Sequence, residues 1–222
     1  MKILKKEITL VSNIFIMLLT IFTLSSPVWS LSMYLEPSTV TVDKSTLFDM
    51  EICLENQEAT AFDTLNVWLT FDPYYLEVQD TDIGNWITNE DINILDAPYH
   101  TTYTFNIHWD NKADNTAGEI IYAESVLPGT LTSTGAFAKI TFRALNITPG
   151  SIPVSFNFDW GGLKDTRVTN GGVDVLGLSS DHTDGTSGAR VAVIPEPSSF
   201  ILLVSNLIGL LVGGFIKIKR RY

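Results

Sequence analysis

The chain has 222 residues, 45% hydrophobic and 18% charged, with a formal net charge of −11. That acidity argues against direct binding to nucleic acid or to anionic lipid, whose phosphates would repel it. Cys53 is the single cysteine, so no intramolecular disulfide can staple the fold. At the N-terminus, Lys2, Lys5 and Lys6 precede an apolar run from Ile8 to Leu24, and Val28 and Ser30 are small enough for a signal-peptidase site. Residues 1–30 therefore read as a signal peptide, with Leu31 first in the mature chain. An uncleaved N-terminal anchor is the alternative, because Pro27 and Trp29 crowd the cut.

Residues 31–194 form one domain's worth of chain, long enough to bury a core. The flanking segments hold seven of the 14 basic residues and two of the 25 acidic ones, which leaves this stretch at −16. Its apolar pattern has period two. Phe48, Met50, Ile52 and Leu54 alternate with polar neighbours or Cys53, and Leu65, Val67, Leu69 and Phe71 follow the same rule. Thr81–Thr102 breaks the rhythm and reads as a long connection carrying Asp82, Asp91, Asp96, Tyr99 and His100. Alternation resumes in Tyr103, Phe105, Ile107 and Trp109, then in Ala138, Ile140, Phe142 and Ala144, and in Ile152, Val154, Phe156 and Phe158. Turn residues separate the runs: Asp72-Pro73, Pro128-Gly129, Pro149-Gly150, Gly161-Gly162 and Gly171-Gly172. Each run is a strand with one face on a core and one in water. The expectation is an all-β fold, an antiparallel β-sandwich in the form of a jelly roll of about nine strands. Residues 179–194 read as a spacer and a last strand.

The tail, residues 195–222, opens with Pro195-Glu196-Pro197. An uncharged run of 19 residues, Ser198–Ile216, follows, and Lys217, Lys219, Arg220 and Arg221 close the chain. At about 1.5 Å per residue this run spans a bilayer core of roughly 30 Å, and the basic end orients to the cytoplasmic side. The combination resembles the bacterial PEP-CTERM sorting signal. The resemblance implies that an exosortase cuts near the triplet and delivers the domain to the cell surface or extracellular matrix. Otherwise the triplet is a helix-breaking linker before a plain single-pass anchor.

Within the domain, four segments come in a recognisable order. They are Thr70-Phe71-Asp72-Pro73-Tyr74-Tyr75-Leu76-Glu77-Val78, Gly118-Glu119-Ile120-Ile121-Tyr122-Ala123, Gly135-Ala136-Phe137-Ala138-Lys139-Ile140-Thr141-Phe142 and Gly171-Gly172-Val173-Asp174-Val175. Together they resemble cohesin domains over residues 31–178. The resemblance implies docking of a dockerin module, a small calcium-loaded helical domain, through one flat sheet face. On the matching strand the outward positions are Thr64, Asn66, Trp68 and Thr70, the expected partner-binding residues. Trp68 reads either as an interface anchor or as a side chain packed beneath the long connection.

No concentrated catalytic site is visible. His100, His108 and His182 are scattered, and His108 reads as a polar-face strand residue. Neither a nucleophile elbow nor a phosphate loop is present. The chain is expected to be no enzyme and to need no cofactor. Calcium is the only ion the pattern raises, at Asp110, Asn111, Asp114, Asn115 and Glu119 or at Asp181 and Asp184, where turn chemistry explains the same residues. Carbohydrate binding is the second functional reading, since Trp68, Trp86, Trp109, Trp160, Tyr74 and Tyr75 could supply a sugar platform, although the register of Trp109 with Phe105 and Ile107 places it in the core. A passive matrix protein is the third.

Overall fold

The computed structural model describes residues 31–82, 91–158, 164–177 and 186–196. Among them are thirteen strands: β1 (Ser32–Glu36), β2 (Thr39–Asp43), β3 (Leu47–Glu55), β4 (Thr64–Thr70), β5 (Leu76–Val78), β6 (Ile107–Asp114), β7 (Glu119–Ser125), β8 (Gly135–Ala144), β9 (Ile152–Phe156), β10 (Arg167–Asn170), β11 (Val173–Asp174), β12 (Thr186–Ser187) and β13 (Ala189–Ile194). The only helical element among the described residues is a single 3-10 turn at Tyr99–Thr101. One sheet runs β12-β1-β3-β8-β5. The other runs β11-β10-β4-β9-β13-β2, with β7 alongside β4 and β6 beyond β7.

Two features differ from the nine antiparallel strands expected. The chain ends are divided between the sheets: β1 and β12 lie in one, β2 and β13 in the other. Pro37 interrupts the first segment, because it brings no N–H to a ladder. Gly188 separates the last two strands, where a Cβ would come within 2.5 Å of the Val154 carbonyl oxygen. The terminal pairs β1–β12 and β2–β13 are moreover parallel, whereas the other strand pairs are antiparallel.

The core is built by the alternation itself. Met50, Ile52 and Leu54 of β3, Leu65, Val67 and Leu69 of β4, and Ile140 and Phe142 of β8 are all buried in one cluster. Full burial of such a side chain contributes about 1.5–3 kcal/mol. Phe137 joins them through a bulge: Ile52 pairs with Ala138 and Cys53 with Ala136, leaving Phe137 unpaired. The extra residue lets both Phe137 and Ala138 be buried. Tyr103 and Tyr122 each stand 5.8 Å from the Phe137 ring.

The long connection is packed. Residue Leu95 bridges to Lys139 of β8 and Ile92 to Ala113 of β6, so this segment ties one sheet to the other. Asn111 clamps it, its side chain accepting from Ile94 N at 2.9 Å and donating to Ile94 O at 2.8 Å. Among the described residues no helix is long and apolar enough to cross a membrane. The signal segment, Pro197, the apolar run and Lys217, Lys219, Arg220 and Arg221 lie outside them, as do Trp86, Trp160, Asp181, His182 and Asp184.

Candidate functional site

Because Leu65, Val67 and Leu69 point into the core, Thr64, Asn66, Trp68 and Thr70 share the opposite, outward face of β4. Their partners on β7 are Ser125, Ala123, Ile121 and Glu119, and beyond these Asp110, Lys112 and Asp114 of β6 complete the rows. The four expected residues thus do lie on one face of a continuous sheet. They are not its most prominent members. Asn66 donates to the Asp165 carbonyl at 2.8 Å, and Thr70 reaches the Ser155 carbonyl at 3.4 Å.

Trp68 is only 9% exposed. The Lys164 ammonium stands 5.3 Å from its ring centroid and forms an ion pair with Glu119 at 2.6 Å. A cleft of about 470 Å³ opens beside them, lined also by Ile121, Lys112 and Asp114. The Trp68 indole N–H is buried with no hydrogen-bond partner among the described residues.

Trp109 is the residue that sequence reasoning placed wrongly. His108 pairs with Glu124 and Asp110 with Ala123, so Trp109 is the unpaired residue of a bulge. Ile107, opposite Ser125, already lies in the outward row, so sharing its side of the strand takes Trp109 away from the buried Phe105 and out of the expected core; the indole is 59% exposed. Its N–H donates to the Ser125 hydroxyl at 3.0 Å, which stands it at one end of the outward face.

The histidines are also better organised than their spacing suggested. His100 and His108 stack obliquely with ring centroids 5.3 Å apart. The His100 Nε2 lies 3.4 Å from Asp96 and 3.5 Å from Glu124, while His108 Nδ1 contacts Glu124 directly. His108 is therefore part of a charged cluster and not a plain polar-face residue. Burial raises the carboxyl of Asp96 above the usual carboxylate range, with neighbouring Glu124 adding to the effect. Burial likewise pushes the Tyr122 hydroxyl well up, reinforced by Glu124 and Asp96. The one legible signal was Asp96 and His100 standing four apart within the irregular segment.

The oxygen-rich stretch raised for calcium is spent on turn geometry. Asp114 accepts from the N–H groups of Thr116 and Ala117, and this pair of hydrogen bonds holds its carboxyl below the usual range. Asn115 bonds both backbone groups of Val78.

No protein-family description matches the sequence, and no curated protein matches it either. Solved structures do. The third cohesin of ScaC from Acetivibrio cellulolyticus, solved with the ScaB dockerin, is 15% identical; the match covers 74% of this chain and 99% of that one, with a TM-score of 0.52. The fold is cohesin-like. A type II cohesin dyad from ScaA of the same organism is also 15% identical, with 73% and 48% covered and a TM-score of 0.49. The OlpC cohesin of Clostridium thermocellum, from a type I cohesin–dockerin complex, gives 15% identity, 78% and 98% coverage and 0.48.

Proposed function

We propose that this chain is an exported, non-catalytic surface protein whose cohesin-like domain docks a dockerin-type module through the outward face of β4, β7 and β6. The observation that carries this reading is Trp109, raised by a bulge above a sheet face bearing Asp110 and Lys112. An exposed aromatic beside charged residues of both signs is a suitable interface anchor. Thr64, Asn66, Trp68 and Thr70 lie beneath and beside that anchor. The test is calorimetric titration of the chain with each calcium-loaded dockerin encoded in the same genome. Binding weakened about 30-fold or more by Trp109→Ala supports docking through this face. No binding to any of those dockerins overturns it.

Export and sorting belong to the same proposal. Signal peptidase releases Leu31 as the first residue, the basic end keeps the tail oriented, and an exosortase acts at Pro195-Glu196-Pro197. The exposure of Pro195 and Glu196 directly after β13 supports access to the triplet. Loss of surface display in cells lacking exosortase is the expected result; unchanged display and tail mass would leave only a membrane anchor.

Polysaccharide binding is the second reading, favoured by the cleft that Trp68 lines and by an indole N–H without a partner among the described residues. A sugar hydroxyl would satisfy that donor. Retardation on matrix-polysaccharide gels that Trp68→Phe abolishes would support it, since this substitution keeps a ring and removes the N–H.

A further inference from the structure

Beyond the outward face, the β6–β7 pair carries a second constellation. Glu124 follows Ile120 and Tyr122 along the inward side of β7, and His108 is its cross-strand partner on β6. The packed connection brings Asp96, just before the 3-10 turn, and His100, within it, over them. One donor atom from each of Asp96, His100, His108 and Glu124 lies within 4.8 Å of the others. We propose that these four side chains bind a divalent transition metal, zinc in the first instance, which fastens the connection to the β6–β7 edge.

The donor set selects the ion. Two imidazole nitrogens and two carboxylate oxygens suit four-coordinate zinc, whereas calcium takes six to eight oxygens. Spacing agrees. Ligands about 2.0–2.1 Å from a tetrahedral ion stand about 3.4 Å from one another. His100 Nε2 is already 3.4 Å from Asp96 Oδ2 and 3.5 Å from Glu124 Oε1. The direct His108–Glu124 contact has to open and the remaining donors, all within 4.8 Å of one another, to close slightly; a metal then replaces that hydrogen bond with two coordinate bonds.

Glu124 supplies the independent sign of a missing partner. Its side chain is 1% exposed and, among the described residues, Oε2 has no hydrogen-bond partner; the His100 Nε2 that faces Oε1 at 3.5 Å is likewise buried without one. Buried polar atoms left in that state are costly, and a cation bound by His100 and the Glu124 carboxylate removes the cost. One divalent ion also balances Asp96 and Glu124 with both imidazoles neutral, the form in which they ligate. The His100 side chain, 39% exposed, gives the ion a route from solvent. Since the ligands come from the connection, β6 and β7, only the folded chain assembles them.

The test uses the full chain in detergent, stripped with a chelator and titrated with zinc and, separately, with cobalt. One ion per chain is expected, with the cobalt form showing the intense visible bands of four-coordination. Zinc should raise Tm and slow amide exchange across residues 91–106. His100→Ala removes a half-exposed ligand, and Glu124→Gln keeps the shape of a buried one. Each should weaken zinc binding at least about tenfold while circular dichroism stays that of the parent. A folded chain that binds neither ion overturns the proposal. So does binding that both substitutions leave unchanged, which would assign the ion to Cys53 or to surface carboxylates.

Discussion

Cys53 faces Tyr34 across the β1–β3 ladder and is buried. Burial first, then the nearby carboxylates of Glu51 and Glu36, push its thiol up to about 11. The reactive thiolate is therefore scarce at neutral pH. Alkylating reagent should leave the native chain unmodified for hours and label it at once in denaturant; labelling of the native state at the unfolded rate would contradict this placement. Asp49 illustrates the opposite shift. Burial acts to raise its carboxyl, but the Thr141 hydroxyl at 2.6 Å and the Lys139 ammonium at 3.0 Å outweigh it, and the net pKa is lowered. A carboxylate depressed in the folded state adds stability above its unfolded pKa of about 3.9, and that stability is lost as pH falls through the folded value. Asp49→Asn should thus destabilise at pH 7 and make little difference below both values. Denaturant melts at the two pH values check the sign.

At the level of elements, the turn from β6 to β7 depends on Gly118. Its φ is +71°, and a Cβ there would lie 2.2 Å from the Phe71 carbonyl oxygen and 2.8 Å from Pro73 Cδ. The close approach serves a hydrogen bond from Phe71 N to Gly118 O at 2.9 Å, which joins two of the cohesin-resembling segments. Gly118→Ala should cost at least about 2 kcal/mol, from backbone strain and overpacking together, measured by chemical denaturation. A loss under half that would mean the turn yields freely.

The strands were legible because period two survives wherever the ladder is regular, as in Met50-Ile52-Leu54 and Leu65-Val67-Leu69. Legibility failed where the alternation leaves the buried row, at Trp109. The spacing of Trp109 from Phe105 and Ile107 implied a core position, but Ile107 already stands in the outward row opposite Ser125 and Trp109 follows it there, while the bulge keeps Asp110 and Lys112 in that row. Phe137 was placed correctly, its bulge turning it inward. The cluster around Glu124 was illegible for another reason. Asp96 and His100 lie in a segment without periodicity, Glu124 sits among apolar neighbours, and only the pairing of β6 with β7 brings His108 to it.

Across the whole molecule, the two sheets are held together by more than their inner faces. The connection at 91–106 bridges from β6 to β8, and the divided chain ends cross from one sheet to the other. The similarity to cohesins concerns this architecture. The outward face, by contrast, has its own character, with Trp109 prominent and Trp68 recessed beneath Lys164.

The parallel pairing of β2 with β13, from Thr39 opposite Arg190 to Asp43 opposite Ile194, has a mechanical consequence. Tension between the start of β2 and the end of β13 pulls the two strands past each other lengthwise. Every hydrogen bond between them then bears load together, since the evenly spaced, slanted bonds of a parallel pair are all sheared at once. Tension applied at Lys44 and Glu196 instead grips the same end of both strands and opens the bonds one after another. A force-spectroscopy measurement with handles at Leu31 and Glu196 should record a rupture force several-fold above that with handles at Lys44 and Glu196. Equal forces would show that this pair bears none of the load. A domain tethered by its C-terminus would then meet flow or traction with its stronger geometry.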